Sequence, residues 1–214
     1  KEINPSLRNN SGTTPLILSI INYNLRIFNS IVDFYGENIG EQNWQIEKAF
    51  KALRMLDMSK NLYPIIDRLA SIKEIDLNFY IKNQTLLIMA CNSCDKKIVE
   101  LLLKSEKIDV NLYDLKTTES PLFIAINKND FDISSILIDN RNININYKSD
   151  DFQTALIRAV RTKFDKIIPL ILNHPKFDPI ESNLDYSFYI SEGKITNLLY
   201  ECKGLNVNYK FYQN

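Results

Sequence analysis

Apolar positions along this chain come as paired short runs with brief polar breaks between them. After Thr14 an apolar run reaches residue 21, breaks at residues 22–24 and resumes as LRIFNSIV. After Thr85 a run reaches Cys91, breaks at residues 92–95 and resumes as KKIVELLL. After Ser120 the run ends at residue 126, and FDISSILI follows residues 127–130; after Thr154 it ends at residue 160, and FDKIIPLIL follows residues 161–163. The runs have helical length and the breaks have room only for a turn, so the pattern predicts a short helix, a tight turn and a second helix. A helix of about eight residues does not hold alone in water. Each must pack on a neighbour, which is why the pattern has to recur.

Recurrence is visible in two phrases. IDLN at residues 75–78, IDVN at 108–111 and ININ at 143–146 end on Asn78, Asn111 and Asn146, at spacings of 33 and 35. LNVN at residues 205–208, ending on Asn208, is a further copy, and FDPI at 177–180 is a worn one. The second phrase is TPLILS from Thr14, TLLIMA from Thr85, SPLFIA from Ser120 and TALIRA from Thr154; its last three starts are 35 and 34 apart. Two phrases sharing one period mark a repeat array. In IDVN, apolar Ile108 and Val110 alternate with Asp109 and Asn111, as in a short extended stretch, and Asn is expected to bond its own loop backbone.

Thr or Ser at the head of the second phrase is an N-cap. Pro15 and Pro121 follow at the first helical position, where the missing N–H costs nothing. Leu16 and Leu122 supply a packing face, and Ala90, Ala125, Ala159 or Ser19 lets the neighbouring helix come close. Residues 43–78 form a degenerate unit: WQIEKAFKALRML, a break near residues 59–61, LYPIIDRLA, then the Asn78 phrase. A long connection over residues 34–43 precedes it. The expected array is a single one with units 1–42, 43–78, 79–111, 112–146, 147–180 and 181–214, the last incomplete, so that a longer natural chain is expected.

These residues resemble the ankyrin repeat family, whose unit of about 33 residues carries a Thr-Pro-Leu-His-x-Ala start. Thr14-Pro15-Leu16, Ser120-Pro121-Leu122 and Thr154-Ala155-Leu156 fall on its first three positions, Ala90, Ala125 and Ala159 on the Ala, and Asp109-Val110-Asn111 on an Asp-Val-Asn-like ending. The family His is replaced by Ile17, Ile88, Phe123 and Ile157, so apolar packing is expected in its stead. The usual Gly between helices is replaced near Tyr23, Cys94, Asn129 and Lys163. Tyr and Lys take a left-handed backbone poorly, which predicts distorted turns. The resemblance implies an all-α ankyrin-repeat solenoid of stacked antiparallel helix pairs with projecting loops.

Chemistry beyond packing is sparse in the sequence. Lys plus Arg number 26 and Asp plus Glu 26, a balance without the basic stripe that nucleic acid requires. No apolar run reaches the ~18 residues of a membrane span. Three cysteines without a framework, Cys91, Cys94 and Cys202, point to reduced thiols and a cytoplasmic or nuclear location. Cys91 and Cys94 form a C-x2-C with no second ligand pair, so neither zinc nor redox function is expected. His174, the single histidine, is read as a loop residue or a helix C-terminal cation. Asp95 and Lys97, and Asp130 and Asp132, are read as solvated starts of second helices. Five glycines provide no phosphate-cradling loop. No catalytic residue, cofactor or metal site is assigned.

The resemblance further implies a concave face and loop tips that bind a protein partner. The loops after each Asn phrase contain Tyr80, Lys82, Tyr113, Asp114, Lys116, Lys148, Asp150 and Asp151, and these are the candidate partner-binding residues. Tyr suits an interface because it offers a broad, stiff surface with one polar handle. Tyr80 and Tyr113 lead; the alternative is that their rings lie over a neighbouring loop and shield it. Tyr147, one place earlier in its loop, is expected to pack inward, and Trp44 to take a core or capping place. The expected function is a non-catalytic scaffold, monomeric in isolation, with a protein partner of unknown identity. The alternative is the recognition region of a larger protein, such as an enzyme or ubiquitin-ligase component, whose effector domain lies outside this chain.

Overall fold

Helices start where a side chain can satisfy a backbone N–H left over by the first turn. Thr14, Thr85, Ser120 and Thr154 all have extended backbone, and their hydroxyls accept from the N–H groups of Ile17, Ile88, Phe123 and Ile157 at 3.2–3.3 Å. Second helices are capped by Asn24, Asp95 and Asp130, which accept from Ile27, Ile98 and Ile133 N–H at 3.0–3.1 Å. Asp95 and Asp130 are therefore caps as well as charges suited to the dipole.

The computed structural model describes Pro5, residues 7–53 and residues 62–200. In chain order the helices are α1 (Pro15–Ile21), α2 (Leu25–Tyr35), α3 (Asn43–Ala52), α4 (Tyr63–Ala70), α5 (Leu86–Asn92), α6 (Lys96–Leu102), α7 (Pro121–Asn127), α8 (Phe131–Ile138), α9 (Ala155–Arg161), α10 (Ile168–Leu172), α11 (Leu184–Ile190) and α12 (Lys194–Tyr200). A two-stranded hairpin, β1 (Tyr80–Ile81) and β2 (Gln84–Thr85), stands before α5. The LNVN phrase with Asn208, Cys202 and the break near residues 59–61 lie outside the described residues.

The chain divides into two compact units, Lys1–Asp109 and Val110–Asn214, parted inside IDVN. In the first, α1 packs on α3, and α2, α4 and α6 form a second layer. In the second, α7, α9 and α11 form one layer, and α8 packs on α10 behind it. The core is aliphatic and phenyl: Ile17, Ile88, Phe123 and Ile157, at the places of the family His, are each at most 1% exposed. Apolar burial thus replaces the polar link. Ala90, Ala125 and Ala159 are fully buried, and Ser19 buries its hydroxyl by donating to the Leu16 carbonyl at 2.7 Å.

Several local expectations change. Residues 36–42 are a 3-10 helix rather than a loop, because Gly36, at φ 49°, ends α2 and turns the chain. Helix α10 starts at Ile168 rather than near Phe164: Pro169 lacks an N–H and is tolerated only in a first turn, so residues 165–167 remain turns. The inter-helix turns are not distorted. Tyr23, Cys94, Asn129 and Lys163 have φ between 53° and 56°, the same left-handed geometry at each place.

The Asn phrases form joints between repeats. Asn78 Nδ2 donates to the Lys107 carbonyl at 2.8 Å while its Oδ1 accepts from Asp109 N–H at 2.9 Å. Asn111 does the same to Asn142 and Asn144, at 2.8 and 2.7 Å, and Asn146 to Lys176 and Asp178, at 2.7 and 3.0 Å. The expected bond to the Asn's own loop is made by other residues: Asp76 and Asn144 accept from the N–H two places on, at 2.9 and 3.2 Å. FDPI keeps the register through Asp178 but has Ile180 where the joint Asn would stand, and Ile180 is 86% exposed.

Candidate partner-binding surface

Between each Asn and the next helix cap, the chain makes a tight, internally bonded loop. In the first unit this is the hairpin, with Tyr80 opposite Thr85 and Ile81 opposite Gln84. Ile81 is buried, Tyr80 is half-buried, and Lys82 stands exposed at the tip with φ 59°. In the second unit, Asp114 N–H donates to the Glu119 carbonyl at 3.0 Å and Ser149 N–H to the Gln153 carbonyl at 3.1 Å, closing equivalent loops. Their left-handed residues are Thr118, φ 56°, and Phe152, φ 57°.

Asp114 departs from the expected partner contact. It is 5% exposed, and its Oδ1 accepts from Lys116 and Thr117 N–H at 2.8 and 3.0 Å, so it holds the loop from inside. Lys116, Lys148, Asp150 and Asp151 face solvent. Asp151 also takes the Ser149 hydroxyl as donor, and this bond holds its carboxyl below the usual range. Tyr113 is 39% exposed, with its ring stacked on Tyr147 at 5.9 Å and 17°. Tyr147 packs inward: its ring meets Phe123 at 5.4 Å, and its hydroxyl donates to the Thr118 carbonyl at 2.9 Å. Burial, then nearby Tyr113 and Asp150, push that hydroxyl's pKa up. Tyr113 thus shields the neighbouring loop with one face and shows the other to solvent.

Loop 147–153 therefore rests on loop 112–119 through a ring stack and a buried hydroxyl. Beside them, Arg158 lies over the Phe123 ring at 4.6 Å and pairs with Glu119 at 2.7 Å, where Glu119 also accepts from Asn127 Nδ2 at 2.9 Å. On this footing stand apolar side chains that the sequence reading passed over: Leu115, 54% exposed, and Phe152, 75% exposed. Both are lone apolar residues in polar loops, which is the signal that could have found them. Trp44, expected in the core or a cap, is 41% exposed with the Arg8 guanidinium 5.0 Å from its ring centre. Burial and then Lys176 lower the pKa of His174, and its Nδ1 accepts from Lys176 N–H at 3.2 Å. Cys91 is buried, Cys94 exposed, and neither is in a disulfide. Among the described residues no group of three or more His, Cys, Asp or Glu could hold a metal, and no helix is long and apolar enough to cross a membrane.

Capped helix pairs stacked at a period of 33–35 residues, with a bonded loop ahead of each first helix, define an ankyrin-repeat fold. The family model described as ankyrin repeats (3 copies) matches residues 51–149 and 87–183, and the chain belongs to the ankyrin repeat family. Members of this family generally mediate protein–protein interactions and are as a rule scaffolds without catalysis. Among solved structures, the chain is similar to the crystal structure of the ankyrin repeat domain of Bcl-3, a unique member of the IkappaB protein family. The two are 17% identical with a TM-score of 0.55, over 91% of this chain and 88% of that one. That likeness is one of fold. No curated protein matches the chain.

Proposed function

We propose that the chain is a non-catalytic scaffold that binds a protein partner through the loop tips of residues 112–119 and 147–153 and the adjoining first helices. The observation that carries this reading is the exposure of Tyr113, Leu115 and Phe152 on loops whose backbones are already held by their own bonds. Exposed apolar side chains on an ordered footing lose little freedom when a partner covers them, so more of the buried area becomes affinity. Phe152 adds a second mark: a bulky aromatic with a left-handed backbone and no burial is costly to the free protein. Lys116, Lys148, Asp150 and Asp151 then form the polar rim, while Tyr80 and Lys82 offer a corresponding contact in the first unit. The same loops would serve equally as the recognition region of a longer protein.

Affinity capture from lysate of the source cells, followed by titration of the recovered partner, tests the reading. The double variant Tyr113→Ala/Phe152→Ser is expected to keep its fold and to bind at least about tenfold more weakly, as the loss of one or two hot spots does. Unchanged affinity in a folded variant removes the loop tips from the interface.

A further inference from the structure

We infer that the Tyr147 hydroxyl is a positioning group for the loop-tip surface: it ties loop 147–153 to loop 112–119, so that Leu115 and Phe152 meet a protein partner as one fixed pair. It acts through the backbone, since it donates to the Thr118 carbonyl at 2.9 Å. Register separates the hydroxyl from the ring that carries it. Phe79 follows Asn78 as Tyr147 follows Asn146. Phe79 packs on Phe50 with ring centres 5.8 Å apart at 47°, and Tyr147 packs on Phe123 at 5.4 Å and 49°. A phenyl ring at this place is therefore enough for packing. The hydroxyl is an addition to it, and it is spent on a bond between two loops.

Each loop is closed by its own bonds, Asp114 N–H to the Glu119 carbonyl and Ser149 N–H to the Gln153 carbonyl. These set the shape of each loop and leave its placement to the contacts between the two. The stack of Tyr113 on Tyr147 tolerates a range of offsets. The Asp150 N–H reaches Thr118 Oγ1 at 3.4 Å, long for such a bond. The Glu119–Arg158 pair ties loop 112–119 to α9 rather than to loop 147–153. The directional contact left is the Tyr147 hydroxyl bond. Thr118 is set to receive it: its backbone is left-handed at φ 56°, costly for a β-branched residue, and its N–H donates to the Asp114 carbonyl at 2.8 Å. Burial, then Tyr113 and Asp150, raise the pKa of the hydroxyl, so it stays a donor across the neutral range. A surface whose parts are already set in place loses less freedom when a partner covers it.

This inference rests on the loop-tip reading, and the experiment separates the two. Tyr147→Phe removes the hydroxyl and keeps the ring; it is compared with wild type, each verified as folded by thermal melting. The Asp150 amide, which crosses between the loops, is expected to exchange about three- to tenfold faster in the variant by NMR-detected hydrogen exchange. The Ser149 and Phe152 amides, bonded within their own loop, should exchange as in wild type. The binding probe is a peptide selected on wild type from a random display library and lost from Tyr113→Ala/Phe152→Ser. Tyr147→Phe should bind that peptide about three- to tenfold more weakly. Equal affinity in the two proteins, or weaker binding without the selective change at the Asp150 amide, overturns the inference and leaves the loop-tip reading standing. If no peptide is recovered that needs the loop tips, the loop-tip reading falls and this one falls with it.

Discussion

Asn111 shows how one side chain can join two repeats. Its amide offers a donor and an acceptor on one planar group, and the next loop presents a carbonyl at Asn142 and an N–H at Asn144 in matching places. Each bond closes a backbone group that would otherwise turn to water. Asn111→Ala is expected to cost about 1–2 kcal/mol in a urea titration, the worth of two modest hydrogen bonds. Asn111→Asp is the sharper variant: it keeps the acceptor for Asn144 but sets a carboxylate against the Asn142 carbonyl, so it should be no more stable than Asn111→Ala. Asp equal to Asn would show that the donated bond contributes nothing. That Asn recurs was legible from its spacing. Which backbone it bonds was not, because an amide can reach its own loop or the adjacent one, and only the stacking distance decides between them.

The elements were legible where their ends carry chemistry. Thr14, Thr85, Ser120 and Thr154 announce the first helices, and the structure places α1, α5, α7 and α9 directly after them. They were less legible where a single residue overrides a run, as Pro169 does at α10 and Gly36 at the end of α2. The inter-helix turn is the instructive case. Poor left-handed propensity at Tyr23 and Lys163 suggests distortion, yet packing of the helices on either side holds all four turns to one geometry. Local preference thus becomes a cost rather than a change of shape. Cys94 carries that cost on an exposed turn, at φ 53°. Cys94→Gly is expected to raise stability by about 0.5–1 kcal/mol, the strain relieved less the extra freedom of glycine in the unfolded chain. A higher urea midpoint at unchanged slope would show it, and a midpoint equal to or below wild type would mean that the turn stores no strain.

At the scale of the whole molecule, the period, the caps and the equal charges made the family and its binding class readable, but the surface was read only in outline. Tyr113 stands out in the sequence by its residue type in a loop, and the structure leaves it 39% exposed. Asp114 was misplaced because a carboxylate that holds its own loop looks in sequence like one that faces a partner. The titration of the whole chain offers the last test, since a single histidine isolates one pH window. His174 Nδ1 accepts from Lys176 N–H, whose carbonyl in turn receives the Asn146 joint, so protonation at Nδ1 breaks a bond next to a repeat junction. Burial and Lys176 lower its pKa in the folded state, with Asp139 opposing. The unfolded chain therefore takes up the proton first: the stability is fully present above the unfolded value of about 6.5 and is lost as pH falls through the lower folded value. Asp151 and Asp165 are also held below 3.8, by the Ser149 hydroxyl and by Lys194, so their contributions fade only in stronger acid. The urea midpoint should consequently fall between pH 7.5 and 5.5. His174→Asn, with an acceptor like that of Asn140, which takes Asn142 N–H at 2.9 Å, should flatten that fall while keeping the turn. An equal slope in both proteins would place the pH dependence elsewhere and leave the His174 bond without a part in it.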